Sequence, residues 1–190
     1  MKFKDIAKEY NIPDKPEVTG TTSLKFKQDV FNFFYPQSQD LTIVEFGPFR
    51  GHFTQVLSKM FKQVYSIDKF DNHFFDENTV DLDNVKKIKY DLYSGKPKPD
   101  LRDIDVVIID AVHTYSAVIS DTRLASQYID SKGYLIYDDY GAFSEVRHAV
   151  DTLVKDNTIK ILEFVGEGSG YSYRQGTKLK AREGVIAQFV

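Results

Sequence analysis

The chain is written as a series of short apolar runs that stop on an acid. LTIVEF (41–46) carries Glu45 near its end, and QVYSI (63–67) is followed by Asp68. VKKIKY (85–90) leads to Asp91, IDVVII (104–109) to Asp110, and GYLIY (133–137) to Asp138 and Asp139. Helical stretches separate several of these runs: residues 52–61, 114–129 and 143–155 each place apolar side chains on one face. Strands that alternate with helices pack as an α/β fold with a mostly parallel sheet. VVII (106–109), apolar at every position, suits a strand buried on both faces. Two final runs, 158–165 and 184–190, have no helix between them. They therefore pair as a hairpin, and one of them runs antiparallel to the rest.

The first 40 residues stand apart from this pattern. A short polar helix and an arm containing Pro13 and Pro16 open the chain. SLKFKQDVFNFFY (23–35) then predicts a helix with one apolar face, ended by Pro36. The expected organisation is a helical arm or lid over 1–40 and a ligand-binding domain over 41–190.

With 190 residues the chain is long enough for one domain with a real core. A net charge of −3 argues against a broad nucleic-acid footprint. No cysteine is present, so any metal site must use carboxylate, imidazole, amide or water ligands. The first 17 residues are too polar for a signal peptide, and no apolar run approaches the roughly 20 residues of a membrane helix. The expectation is a cytoplasmic protein; its oligomeric state stays open, a homodimer being one possibility.

In open α/β sheets, ligands bind beyond the carboxyl ends of the strands. One acid at such an end is an ordinary turn or cap; five ends furnished this way point to a ligand. EFGPFRGHFT (45–54) adds a loop with Gly47 and Gly51, which allow close backbone approach. The dinucleotide pattern G-x-G-x-x-G is absent, because Pro48 and Phe49 follow Gly47.

The remaining pattern, E-x-G-x-x-x-G followed by Thr54, resembles the first motif of class I S-adenosylmethionine-dependent methyltransferases. YSIDKF (65–70) resembles their second motif, in which an acid holds the ribose hydroxyls; Asp68 takes that place, with Lys69 beside it. Asp91 in IKYDLYSG matches the position near the adenine. The resemblance spans about residues 41–190 and implies a Rossmann-like, doubly wound, seven-stranded sheet with a C-terminal antiparallel hairpin. It implies cofactor contacts at Glu45, Gly47, Gly51, Thr54, Asp68, Lys69, Asp91 and Asp110.

DVVIIDAVHTY (105–115) and KGYLIYDDYGAF (132–143) are similar to the metal-dependent catechol and macrocin O-methyltransferases. That likeness implies magnesium held by Asp110, Asp138 and Asp139. His113 stands where the catechol-type enzymes carry a lysine base; with Asp110 it forms the expected catalytic pair. The implied acceptor is a hydroxyl of a small molecule or sugar. A nicotinamide-dependent oxidoreductase and a non-catalytic nucleotide-binding module are the competing readings. His52, His73 and His148 are read as structural. Thr21 and Thr22 are possible roof residues, and Tyr171 and Tyr173 are substrate-contact candidates.

Overall fold

The computed structural model describes residues 1–14, 21–168 and 182–190. Tyr171 and Tyr173 lie outside them. One seven-stranded sheet organises the chain. In chain order its strands are β1 (Thr42–Phe46), β2 (Gln63–Asp68), β3 (Val85–Lys89), β4 (Val106–Ile109), β5 (Tyr134–Tyr137), β6 (Ile159–Gly168) and β7 (Arg182–Phe189). Their spatial order is β3-β2-β1-β4-β5-β7-β6. β1 to β5 pair in parallel, and β7 runs antiparallel to both β5 and β6. The expected topology and closing hairpin are both present. The hairpin strands are longer than expected and take up residues at each end of the glycine-rich loop.

The helices are α1 (Phe3–Glu9), α2 (Leu24–Phe34), α3 (His52–Met60), α4 (His73–Thr79), α5 (Tyr115–Ala125) and α6 (Ser144–Lys155). α4 is absent from the sequence reading. Its seven residues, HFFDENT, bury only Phe75, so they carry no apolar period to detect. It starts because Asn72 accepts the Phe74 N–H, an N-cap bond.

The sheet buries an apolar layer on each face. One cluster joins Ile43, Val106 and Ile108 of the sheet to Val56 and Leu57 of α3 and to Phe26, Val30 and Phe34 of α2. The other joins Val44, Val107 and Leu135 to Val118 of α5 and to Val146 and Val150 of α6. α1 belongs to the first cluster through Phe3 and Ile6. The N-terminal helices thus share the core of the sheet, and Thr21 and Thr22, just before α2, stand beside the strand tips.

Candidate functional site

The order of the strands reverses at β1, whose neighbours β2 and β4 lead to opposite sides of the sheet. A crevice opens at such a switch point beyond the carboxyl ends. The loop after β1 enters it with three residues in the left-handed region: Gly47 at φ 81°, Phe49 at 49° and Gly51 at 79°. A bulky aromatic pays a steric penalty there, and two amide side chains hold the loop in place. Asn72 donates to the Phe49 carbonyl at 2.9 Å, and Asn78 to the Arg50 carbonyl at 2.8 Å.

Gly47 is required by the protein's own backbone. A Cβ at that position would overlap the Asp110 carbonyl oxygen and lie 2.7 Å from Ala111 Cα. Gly51 faces the Phe75 ring and the Thr79 methyl and serves as the N-cap of α3. The space read from sequence as ligand room at these two glycines is therefore used first by neighbouring chain.

Glu45 is 3% exposed. Thr54 Oγ1 donates to it at 2.6 Å and Ser66 Oγ at 3.2 Å. Burial pushes its carboxyl up to about 7, and the charge of Asp110 adds to the rise. Capping of α3 does not explain this acid, since it touches the Thr54 side chain and no backbone N–H of that helix is its partner in these bonds. Glu45, Gly47 and Asp110 line one small pocket, together with His52 and, from the N-terminal segment, Thr21 and Thr22. His52, read from the sequence as structural, thus lines the pocket as well. Burial lowers its pKa and the charge of Lys27 lowers it further, which favours the neutral ring. Thr54 is fully buried behind Glu45 and supports it rather than lining the pocket.

The other expected cofactor residues stand farther along the strand tips. Asp68 ends β2, and its Oδ1 accepts the Phe70 N–H at 3.0 Å. Asp91 follows β3 and accepts the Tyr93 N–H at 3.0 Å. Each acid organises its own turn and leaves a second oxygen for other work. Lys69 is exposed, with its ammonium 4.8 Å from the centre of the Phe70 ring.

Beside the pocket, the tips of β4 and β5 bring three groups together. His113 Nε2 lies 3.3 Å from Asp110 Oδ1 and 3.3 Å from Asp139 Oδ2. One ligand atom from each of the three falls within 4.8 Å of the other two. The His113 ring packs on Phe143, with centroids 4.6 Å apart. Asp139 reaches this position from the left-handed region, at φ 59°, a conformation that Asp tolerates better than most residues. Asp138 is 5% exposed and is not a member of the converging set. Of the expected trio, Asp110 and Asp139 meet in this set, and His113 stands with them.

The caps of the two neighbouring helices involve none of the three side chains. α5 is capped by Thr114, whose hydroxyl accepts the Ala117 N–H. α6 begins after Phe143 with no side-chain cap.

Residues 44–140 match the model of a protein family described as a methyltransferase domain. The matched span holds Glu45, the glycine loop, Asp68, Asp110, His113 and Asp139. This chain belongs to the methyltransferase-domain family. A curated relative of this methyltransferase domain, an uncharacterized protein of Acanthamoeba polyphaga mimivirus, is 31% identical over 137 residues. That alignment covers 63% of this chain and 62% of the relative. Among solved structures, a SAM-dependent methyltransferase from Aquifex aeolicus superposes with a TM-score of 0.63 at 19% identity, each chain covered in full. Fibrillarin of Aeropyrum pernix, solved with natively bound S-adenosylmethionine, gives 0.59 at 16% identity, over 80% of this chain and 68% of that one. An rRNA methylase from Streptococcus thermophilus gives 0.59 at 14%, over 87% and 97%. These three likenesses establish the fold. Among the described residues, no helix is long and apolar enough to cross a membrane.

Proposed function

We propose that the protein is an S-adenosylmethionine-dependent methyltransferase that acts on a hydroxyl of a small molecule or sugar with the help of a divalent cation, magnesium. The observation that carries this reading is the double position of Asp110. It lines the pocket with Glu45 and Gly47, and it meets His113 and Asp139 on its other side. A cofactor pocket and a proton-handling cluster thus share one side chain.

The residues fit the expected ligands. Buried Glu45 suits the cofactor's ammonium, and Asp68, one oxygen committed to its turn, suits a ribose diol. Asp110 and Asp139, whose carboxylates each stand 3.3 Å from His113 Nε2, would hold the ion together with Asp138, and His113 would stay outside the ligand set as the base. The carboxylates supply the hard oxygens such an ion prefers. A cation held there would lower the pKa of a hydroxyl bound to it.

The chain's own contribution is placement and proton transfer. The glycine loop and β4 tip fix the donor pocket against the cluster. His113 Nε2 accepts the acceptor's proton, and its ring is held by Phe143 against rotation. Alignment of acceptor and methyl supplies much of the remaining acceleration.

Calorimetric titration with S-adenosylhomocysteine, with NAD as control, tests the reading. Binding of the first compound and not the second supports it. Binding of NAD alone, or of neither, overturns it.

A further inference from the structure

Four phenylalanines are exposed among the described residues, and three of them, Phe49, Phe70 and Phe74, stand on the segments that follow β1 and β2. Single exposed apolar side chains need no explanation, but these are tied together. The Arg50 guanidinium carbon lies 4.6 Å from the centre of the Phe74 ring and 5.3 Å from that of Phe49. His73 backs Phe74, with ring centroids 3.9 Å apart. Flat groups from the β1 loop and from α4 thus form one chain of contacts. Lys69 and Phe70 add a second cation–ring pair on the connection into α4.

The display is held under strain. Phe49 keeps a left-handed backbone that glycine or asparagine adopts at less cost. Its ring is exposed, so packing does not offset that cost. Asn72 and Asn78 fix the carbonyls of Phe49 and Arg50 instead. Strain kept at an exposed aromatic side chain points to use rather than to core packing.

The charges sort in the same sense. Asp71 pairs with Lys87 and Lys89, and Asp76 with Lys87, so these acids are engaged by β3. Arg50 and Lys69 enter no ion pair among the described residues; their recorded contacts are with rings. A guanidinium stacked on rings keeps its N–H edge free, in the fork geometry that a phosphate accepts. Rings that accept a flat base and cations that accept a phosphate match one ligand class, a nucleotide. The net charge of −3 and the small extent of the patch suit one nucleotide rather than a strand. Phe49 and Arg50 also line the pocket that contains Asp110, so the patch and the acid cluster share a rim.

We propose that Phe49, Arg50, Lys69 and Phe74 form a docking platform for the nucleoside phosphate end of the acceptor, which carries its reacting sugar hydroxyl on that nucleotide. The acceptor's role rests on the methyltransferase reading. The nucleotide binds beside the methyl donor and not in its place.

Calorimetric titration of the full chain with UDP, under saturating S-adenosylhomocysteine and with no divalent cation added, tests the platform. UDP should bind. Phe74 does not line the pocket. Phe74→Ala should weaken UDP by roughly 10-fold, the size of one lost stack, and leave S-adenosylhomocysteine within about twofold of wild type. Pyrophosphate lacks the base, so wild type and Phe74→Ala should bind it equally; a merely structural Phe74 would lower both ligands together. Arg50→Gln should weaken UDP and pyrophosphate alike. A thermal melt checks folding, and if Phe74→Ala does not fold, His73→Ala takes its place with a smaller loss in the same direction.

UDP that competes with S-adenosylhomocysteine, UDP bound equally by wild type and Phe74→Ala, or a short oligouridine bound far more tightly than UDP overturns the inference. So does a wild type that binds S-adenosylhomocysteine and not UDP, which leaves the methyltransferase reading intact. A wild type that binds neither compound removes both.

Discussion

Ser23 and Glu183 are 160 positions apart and are joined by two hydrogen bonds. The Ser23 N–H donates to Glu183 Oε1 at 2.9 Å and its hydroxyl to Oε2 at 2.5 Å. The same hydroxyl accepts the Phe26 N–H as the cap of α2. A carboxylate from the start of β7 thus completes the N-terminus of the helix that carries Lys27, where the helix dipole favours negative charge. Both residues are buried, so breaking the pair strands polar groups. Glu183→Ala should destabilise the fold by about 3 kcal/mol and Ser23→Ala by about 1 kcal/mol. Urea denaturation of the two variants and the double variant should give non-additive losses. Additive losses would mean the two groups do not act together.

Glu45 makes stability depend on pH in a definite sense. Its folded-state pKa is raised from 4.5 to about 7, so the fold favours the protonated acid. That contribution is complete below pH 4.5 and is lost as pH rises through 7. Its full size is about 3 kcal/mol from the shift alone. Glu45→Gln lacks this dependence. The melting temperature of wild type should fall relative to Glu45→Gln between pH 4.5 and 8, and a constant difference would refute the assignment. Below pH 7 the acid also loses the charge that suits an ammonium, so S-adenosylhomocysteine should bind more weakly there.

Asp121 shows the same sense at a different place. It is 1% exposed and accepts the Tyr93 hydroxyl at 2.9 Å, and burial pushes it up to about 7. The bond ties the turn that follows Asp91 to α5. Asp121→Asn keeps an acceptor for Tyr93 and removes the ionisable group. Stability of this variant should gain on wild type as pH rises from 4 to 8, with an unchanged midpoint near pH 4. Tyr93→Phe should cost about 1 kcal/mol and loosen the turn, read as faster amide exchange at residues 91–94.

His113 and Asp139 should prove dispensable for holding the cofactor and essential for turnover. Neither lines the pocket that contains Glu45. His113→Ala is expected to lower kcat by about 10²–10⁴ with a small change in S-adenosylhomocysteine affinity, as for loss of a general base. Asp139→Asn should lower kcat as well and raise the magnesium concentration needed for half-maximal rate. An Asp139→Asn protein with unchanged metal dependence would exclude that residue as a ligand.

Much of the fold is legible in the sequence because strands buried on both faces and one-sided helices leave periodic traces. VVII at 106–109 and the apolar face of α3 are examples. The acids at the strand tips are legible for the same reason, as interruptions of apolar runs. Other features leave no local trace. α4 buries one side chain. The left-handed backbone of Asp139, at φ 59°, is not announced by any residue pattern. The approach of Thr21, Thr22 and Lys27 to the pocket depends on packing α2 against the sheet, and on Ser23 finding a carboxylate at the far end of the chain. Thr21 and Thr22 are named from the sequence as possible roof residues, whereas the burial of Lys27 shows only in three dimensions.

The contact between Gly47 and the Asp110 carbonyl has a mechanical consequence. One side of that contact belongs to the loop that would receive the methyl donor in the proposed reading, and the other to the strand tip that presents the acid cluster. With no side chain between them, the two halves of the site meet backbone to backbone. Side-chain rotation cannot change their spacing, so the distance between pocket and cluster, which the proposed transfer would span, is gauged by the stiffest part of the chain.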